Sequence, residues 1–283
     1  MKLNKIATVA LAAVLTVTAS SSFAGEVINR IVQSKTVNIG SRESSVPYSE
    51  KTSTGYKGYS QEICAIIHAE FDKEHNVTTA INYVPVDGTT RWPAVQSGNA
   101  DLECGSTTAK DEKKNNFDFT DIDSDSVVVS TLANNTKITN LDSLKDARVV
   151  VVAGSTGETA INKLKNEKGW NTPILSVKEY SGALRAVEGG LADAFITDKD
   201  LLVGTFKKSG ATNFKIHDDL ALVPVEIIAL VSSKKDPEFS AFVKRKVVAM
   251  IKDGTLWKLH EKYFGPLGLS LTEVQKKAIA EQR

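Results

Sequence analysis

The chain has 283 residues with 35 basic and 34 acidic side chains, a formal net charge of +1 at pH 7. This balance excludes the strongly basic surface that nucleic acid or an anionic membrane attracts. Two cysteines are too few for a disulfide framework. The length allows one large core or two moderate ones.

The first 24 residues have the pattern of a cleaved secretory signal. Lys2 and Lys5 precede an apolar run over residues 6–17, and small residues end at Ala24. Cleavage is expected before Gly25, where no cysteine stands to carry a lipid. Loss of the two lysines leaves 33 basic against 34 acidic residues. We therefore predict a soluble periplasmic protein, with an uncleaved anchor as the alternative.

Short apolar strands alternate with amphipathic helices along the mature chain. Apolar residues recur at helical spacing over residues 63–71 and 239–251, and Asp236-Pro237 is a good start for the second helix. The predicted strands are residues 36–40, 79–84, 102–105, 148–153, 194–197 and 227–232. This alternation is typical of an α/β protein with mostly parallel sheets.

One segment is repeated within the chain. Residues 94–101 (AVQSGNAD) correspond to residues 186–193 (AVEGGLAD), 92 positions later, and each copy leads into a predicted strand. Both copies are typical of a helix end, a glycine turn and the start of a buried strand. Such units are common enough for a chance match, but the repeat favours two similarly built lobes.

Two lobes require the chain to cross between them. Residues 121–126, followed by Val127-Val128-Val129, form a natural first crossing, and residues 220–228 a natural return. Lobe 1 then comprises residues 25–126 and 226–265, and lobe 2, residues 127–225, is inserted into it. Two strands crossing together make a hinge, and a hinged cleft can enclose a ligand. The basic, helical-looking tail of residues 266–283 is assigned no role, and such termini often fray.

Polar side chains follow several of the predicted strands, where open α/β sheets place their ligands. Arg42 and Arg91 occupy strand-to-helix loops, and an arginine fork can hold a carboxylate with two hydrogen bonds. Ser106 and Thr108 end another strand and offer hydroxyl groups. Taken singly, the arginines could form surface ion pairs and the hydroxyls could cap a helix.

The presumed second lobe offers complementary groups. Ser155 and Thr156 lie where a helix begins, and free amide groups at a helix start attract anions. Asp198 ends a predicted strand and could pair with an ammonium group, although alone it would be a plain turn aspartate. Opposite two arginines, it completes a site for a zwitterion.

Three sequence runs resemble the type II periplasmic solute-binding proteins (family 3) of amino-acid ABC transporters. The runs are residues 42–47 (RESSVP), 58–61 (GYSQ) and 103–108 (ECGSTT), and the resemblance extends over residues 37–265. The pattern is closest to that of the glutamate/aspartate-binding members. The resemblance implies a two-lobed fold with a two-strand hinge, an amino-acid ligand, an inner-membrane ABC permease as partner, and a monomer without catalytic activity or cofactor.

The same resemblance implies which residues bind the ligand, and it also shows departures. The expected positions are Arg42, Arg91, Ser106, Thr108, Lys113, Ser155, Thr156, Tyr180 and Asp198. Glycine stands at Gly88 where dicarboxylate binders tend to have serine, and Lys113 replaces an arginine that usually holds the α-carboxylate. Tyr180 replaces a histidine. Lys113 keeps the charge but loses the bidentate fork.

Two other classes of function remain open from the sequence. One is an exported enzyme on the same scaffold, similar to cyclohexadienyl dehydratase, which would need a positioned acid or base such as Glu103 or Glu158. The other is a ligand sensor that works without a transporter. The spacing of the four histidines matches no metal motif, and Cys64 and Cys104 are compatible with either a disulfide or two buried thiols.

Overall fold

The computed structural model describes residues 25–282, so the predicted signal at residues 1–24 lies outside the described residues. The strands are β1 (Thr36–Arg42), β2 (Ser44–Ser45), β3 (Ser49–Thr52), β4 (Gly55–Lys57), β5 (Ala80–Val86), β6 (Leu102–Thr108), β7 (Phe117–Leu132), β8 (Val149–Val152), β9 (Ile174–Val177), β10 (Ala194–Asp198) and β11 (Phe214–Ser233). The helices are α1 (Glu26–Ser34), α2 (Tyr59–His75), α3 (Arg91–Gln96), α4 (Thr156–Lys168), α5 (Tyr180–Glu188), α6 (Lys199–Ser209), α7 (Pro237–Lys252), α8 (Thr255–Phe264) and α9 (Glu273–Glu281). Among these described helices, none has the length and apolar character that a membrane crossing requires.

The main sheet has the strand order β5-β1-β6-β11-β7-β10-β8-β9. Parallel strands lie at both ends, and the long strands β7 and β11 pair antiparallel at the centre. The predicted two-lobed α/β fold with a two-strand hinge is confirmed, because β7 and β11 both run from one half into the other. The residue boundaries of the lobes stay a prediction.

The repeated segment has the same role in both halves. Asp101 accepts a hydrogen bond from the Asn38 amide at 2.7 Å, and Asp193 accepts one from the Arg148 amide at 2.9 Å. The amide of each aspartate donates in return to the carbonyl of the same partner. Each aspartate therefore fastens a helix-turn-strand unit to the first residues of a neighbouring parallel strand.

The predicted start of the 239–251 helix is also present. Asp236 accepts a hydrogen bond from the Phe239 amide at 2.9 Å, and Pro237 occupies the first turn of α7. The second oxygen of Asp236 accepts from the Val27 amide at 2.6 Å, which holds α1 against α7. One capping aspartate therefore orders two helices.

A disulfide joins Cys64 on α2 to Cys104 on β6, which decides between the two possibilities that the sequence left open. Both cysteines are almost fully buried in the core beneath the sheet. The bridge closes a loop with a sequence separation of 40 and ties α2 to the strand that carries Ser106 and Thr108.

We expect the double substitution Cys64→Ala/Cys104→Ala to lower the free energy of unfolding by about 4 kcal/mol, because the open chain gains conformational entropy when it unfolds. Denaturant unfolding of the oxidised protein, the reduced protein and the variant measures this. Reduced wild type should match the variant. Equal stability of all three forms would show that the bridge does not constrain the chain.

The C-terminal tail is ordered rather than frayed. A capping box at Thr272 and Gln275 starts α9, and Ile279 is fully buried. The Gln282 side chain donates to the Asp121 carbonyl at 2.7 Å and accepts from the Asp121 amide at 3.2 Å. The tail thus packs along the hinge strand β7, and the Gln282 side chain forms hydrogen bonds with the backbone of that strand.

Candidate functional site

The two halves of the molecule are closed on each other. Arg91 donates to the Gly154 carbonyl at 3.1 Å, and the hydroxyls of Thr108 and Thr156 lie 2.8 Å apart. Lys208 and Glu50 form an ion pair at 2.7 Å. These contacts join residues of the first half to residues of the second, and they define a cleft between the lobes.

Two glycines allow this close approach. A Cβ atom at Gly88 would lie 2.2 Å from the Ala153 carbonyl oxygen, and one at Gly204 would lie 2.2 Å from the Val46 carbonyl oxygen. Both distances are far shorter than a van der Waals contact. This geometry gives a physical reason for glycine at position 88.

The cleft encloses a small cavity at the carboxyl ends of the strands. Its lining residues are Arg42, Gly88, Arg91, Ser106, Thr108, Val152, Ala153, Ser155, Thr156, Tyr180 and Asp198. Eight of the nine predicted ligand-binding residues are in this set. The cavity has a volume of about 10 Å³, room for roughly one water molecule. An amino acid can therefore enter only when the lobes move apart, and they must close around it slightly further apart than in this structure.

Lys113 is the predicted residue that the structure does not bring to the cavity. It ends a short 3-10 turn after β6, and its Nζ lies 5.4 Å from the centre of the Trp92 ring. The ammonium group is thus held on an indole face. The expectation came from the position of an arginine in related proteins, and the shorter lysine packs on Trp92 instead.

Local structure explains how the other side chains reach one place. Arg42 is the last residue of β1, Asp198 is the last residue of β10, and Thr108 is the last residue of β6. Ser155 caps α4 by accepting from the Glu158 amide at 3.1 Å. The capping role and a ligand-binding role are both compatible with Ser155, because the helix start opens into the cavity.

The two arginines form a buried, positively charged wall. Arg42 is 2% exposed and Arg91 is 4% exposed, and the buried carboxyl of Glu103 lies beside them. Burial and the neighbouring Arg42 lower the pKa of Arg91. Burial also opposes the charge of Arg42, but Tyr180 and Glu103 more than offset it, so its pKa is raised.

Several donors of this wall are left without protein partners. Arg91 Nη1 donates to the Thr107 hydroxyl at 2.8 Å, whereas its Nε has no partner. Arg42 Nη2 and the Ser106 hydroxyl are also buried, and although both lie beside the Tyr180 phenol, neither has a hydrogen bond of good geometry. Buried charged donors in this condition carry a desolvation cost that an anionic ligand group would remove.

The opposite wall is acidic, and it includes a residue that the sequence reasoning missed. Asp198 accepts a hydrogen bond from the Thr197 hydroxyl at 3.0 Å. Glu226 on β11 lies behind it, buried, and burial together with the charge of Asp198 raises the pKa of Glu226 well above its usual range. A single glutamate in the otherwise apolar crossing of residues 220–228 was the available sequence signal.

The two carboxylates considered as catalytic acids or bases lie in different surroundings. Both oxygens of Glu158 are occupied, one by the Gly154 amide at 2.8 Å and the other by the Ser176 hydroxyl at 2.7 Å. Glu103 is fully buried beneath the arginines, and desolvation raises its pKa although both arginines oppose the shift. The described residues contain no cluster of three or more His, Cys, Asp or Glu side chains able to hold a metal ion.

A closed two-lobed cleft with cationic and anionic walls is typical of solute-binding proteins. The chain belongs to the bacterial extracellular solute-binding proteins, family 3, whose pattern it matches over residues 37–266.

Two relatives match nearly the full length of the chain. The glutamate/aspartate import solute-binding protein of Escherichia coli is 31% identical over 93% of this chain and 89% of its own length. The L-glutamate/L-aspartate-binding protein of Pseudomonas aeruginosa is 30% identical, covering 89% of this chain and 87% of that protein.

A solved structure supports the same fold. The substrate-binding protein of a Streptococcus pneumoniae ABC uptake transporter, with bound histidine, superimposes with a TM-score of 0.75. The match covers 85% of this chain and 97% of that one at 19% identity, and it therefore concerns the fold alone.

Proposed function

We propose that this protein captures an acidic amino acid, glutamate or aspartate, by closing its two lobes around it. The observation that carries this proposal is the pair of buried arginines, Arg42 and Arg91, whose unpartnered guanidinium nitrogens border the same cavity as Asp198. Two carboxylates can be held on the arginine wall while the ammonium group is held by Asp198. Only the closed state lets both lobes contact the ligand, so binding shifts the population toward closure.

The charge pattern favours an acidic side chain over the alternatives. One carboxylate would lie between Arg91 and the start of α4, where Ser155 and Thr156 provide amide and hydroxyl donors. The second would lie by Arg42, whose Cζ is 5.7 Å from the Tyr180 ring centre. A ligand with a neutral amide side chain leaves Arg42 without a counter-charge, and a cationic side chain would be repelled.

The names of the matching relatives support the transport role. We propose that the mature protein resides in the periplasm as a monomer and delivers its ligand to the permease of an inner-membrane ABC importer. A strain that lacks this chain should lose high-affinity uptake of the ligand. Normal uptake with a lost response to the ligand would favour the sensor function instead.

The direct test is a calorimetric titration of the mature protein. The protein is first unfolded to remove any bound ligand and is then refolded. Glutamate, aspartate, glutamine, asparagine, arginine and cystine are titrated in turn. We expect glutamate or aspartate to bind with a dissociation constant of about 1 μM or lower, which corresponds to roughly 8 kcal/mol. The matching amide should bind at least about tenfold more weakly, since it cannot neutralise the second arginine.

Tighter binding of glutamine, arginine or cystine would contradict the acidic ligand while keeping the binding function. Lack of binding by all six compounds would contradict the amino-acid ligand. A dehydratase assay with a cyclic hydroxy acid would then be the next measurement.

A further inference from the structure

Glu226 is a buried acid at the point where the hinge strand β11 crosses between the lobes, opposite Asp125 of β7. Its side chain is 7% exposed, and neither carboxylate oxygen has a hydrogen-bond partner of good geometry. It forms no ion pair with any of residues 25–282. A buried carboxylate in this condition is costly unless it is neutral or a cation is brought to it.

The groups nearest to Glu226 are residues of the ligand cavity. Its carboxyl lies beside Asp198 and the hydroxyls of Thr108 and Thr156, all three of which line the cavity. The two threonine hydroxyls bond to each other across the cleft at 2.8 Å. An ammonium group bound at Asp198 would therefore also lie next to Glu226.

Other charged groups surround the two acids on every side. Lys110 follows β6, Arg91 begins α3, Asp125 lies on β7, Asp200 on α6, and the Tyr180 phenol on α5. Neither cation forms an ion pair with Glu226 or Asp198 within the described part of the chain. The acids Asp125 and Asp200 add negative charge, and burial followed by this mutual repulsion raises the pKa of Asp125 well above its usual range.

We propose that Glu226 is the second carboxyl group of the ammonium subsite, where it carries a proton in the empty cleft and releases that proton to solvent when the ligand's ammonium group binds. This inference rests on the proposed function. The arriving cation replaces the proton, so the charge of the acidic wall is balanced before and after binding. The ligand ammonium keeps its own protons.

Proton release makes binding dependent on pH in a defined direction. Because the complex holds fewer protons than the free partners, higher pH favours the complex. The affinity should rise by up to about tenfold per pH unit while Glu226 is protonated in the free protein, and it should level off once Glu226 is ionised there.

The test is a titration with glutamate in phosphate and in Tris, two buffers with very different enthalpies of ionisation. The difference between the two binding enthalpies gives the number of protons released. We expect about one proton for wild type and close to none for Glu226→Gln, whose affinity should be nearly independent of pH. Glu188→Gln, the same change at an exposed position on α5, should behave as wild type.

Equal binding enthalpies in both buffers for wild type would overturn the inference, as would a Glu226→Gln variant that releases as many protons as wild type. Failure of the proposed function is distinguishable, because wild type would then not bind glutamate in either buffer.

If Glu226→Gln no longer binds glutamate, the stability of the ligand-free protein provides a second test. The raised pKa of Glu226 contributes stability that is present at low pH and is lost as pH rises through the folded-state pKa. The free energy of unfolding should therefore fall more steeply in wild type than in Glu226→Gln as the pH rises above about 4.5, the ordinary pKa of a glutamate. Parallel curves would contradict a proton on Glu226.

Discussion

Arg91→Ala is expected to weaken glutamate binding by between about 30-fold and several thousand-fold, the range for removing one partner of a buried charged pair. Arg91 is the arginine that faces the start of α4 and donates to the Gly154 carbonyl across the cleft. The substitution therefore removes both a ligand contact and a contact that holds the lobes together. The measurement is calorimetric affinity for glutamate.

The matched control is Arg185→Ala, which removes an exposed arginine of α5 outside the cavity. It should bind glutamate as wild type does. Arg91→Lys should be intermediate, because it keeps the charge and loses the fork. Wild-type affinity in a correctly folded Arg91→Ala variant would place the ligand carboxylate elsewhere.

Gly88→Ala is expected to reduce glutamate affinity at least about tenfold by holding the lobes apart, since closure must be favourable for both walls to contact the ligand. The added Cβ would lie 2.2 Å from the Ala153 carbonyl oxygen. The clash exists only in the closed state, so the effect should appear in ligand binding and in closure. Small-angle scattering should show no ligand-induced decrease in the radius of gyration.

Gly182→Ala provides the control for this experiment. A Cβ at Gly182 has its nearest neighbours at 3.9 Å, which is ordinary contact, so closure and affinity should be retained. Normal affinity and normal compaction in Gly88→Ala would show that the lobes do not approach each other at Gly88 and Ala153 when the ligand is bound.

The sequence predicted the sheet and most of the cleft for a physical reason. Buried parallel strands are short apolar runs, and their carboxyl ends meet at one edge of the sheet, so polar residues that follow them converge. Arg42, Ser106 and Asp198 were found in this way. The repeat at residues 94–101 and 186–193 carried real structural information, because Asp101 and Asp193 form equivalent hydrogen bonds.

Features that depend on contacts distant in sequence were not predictable. The Cys64–Cys104 bridge requires α2 to lie over β6. The small sheet of β2, β3 and β4 consists of strands too short to show an alternation of apolar and polar residues. The docking of Gln282 on Asp121 spans 161 residues. Lys113 was predicted to bind the ligand only because of its position in a family pattern. Its packing on Trp92 could not be inferred from that pattern.

The central claim is that the arginine wall and the acidic wall close together on an acidic amino acid, and a crystal structure of the protein with glutamate tests it most directly. We expect closed lobes, one ligand carboxylate within about 2.7–3.1 Å of Arg91 nitrogens, the other at Arg42, and the ammonium group beside Asp198 and Glu226. A glutamate bound outside this cleft, or bound inside it with its ammonium group toward the arginines, would contradict the account.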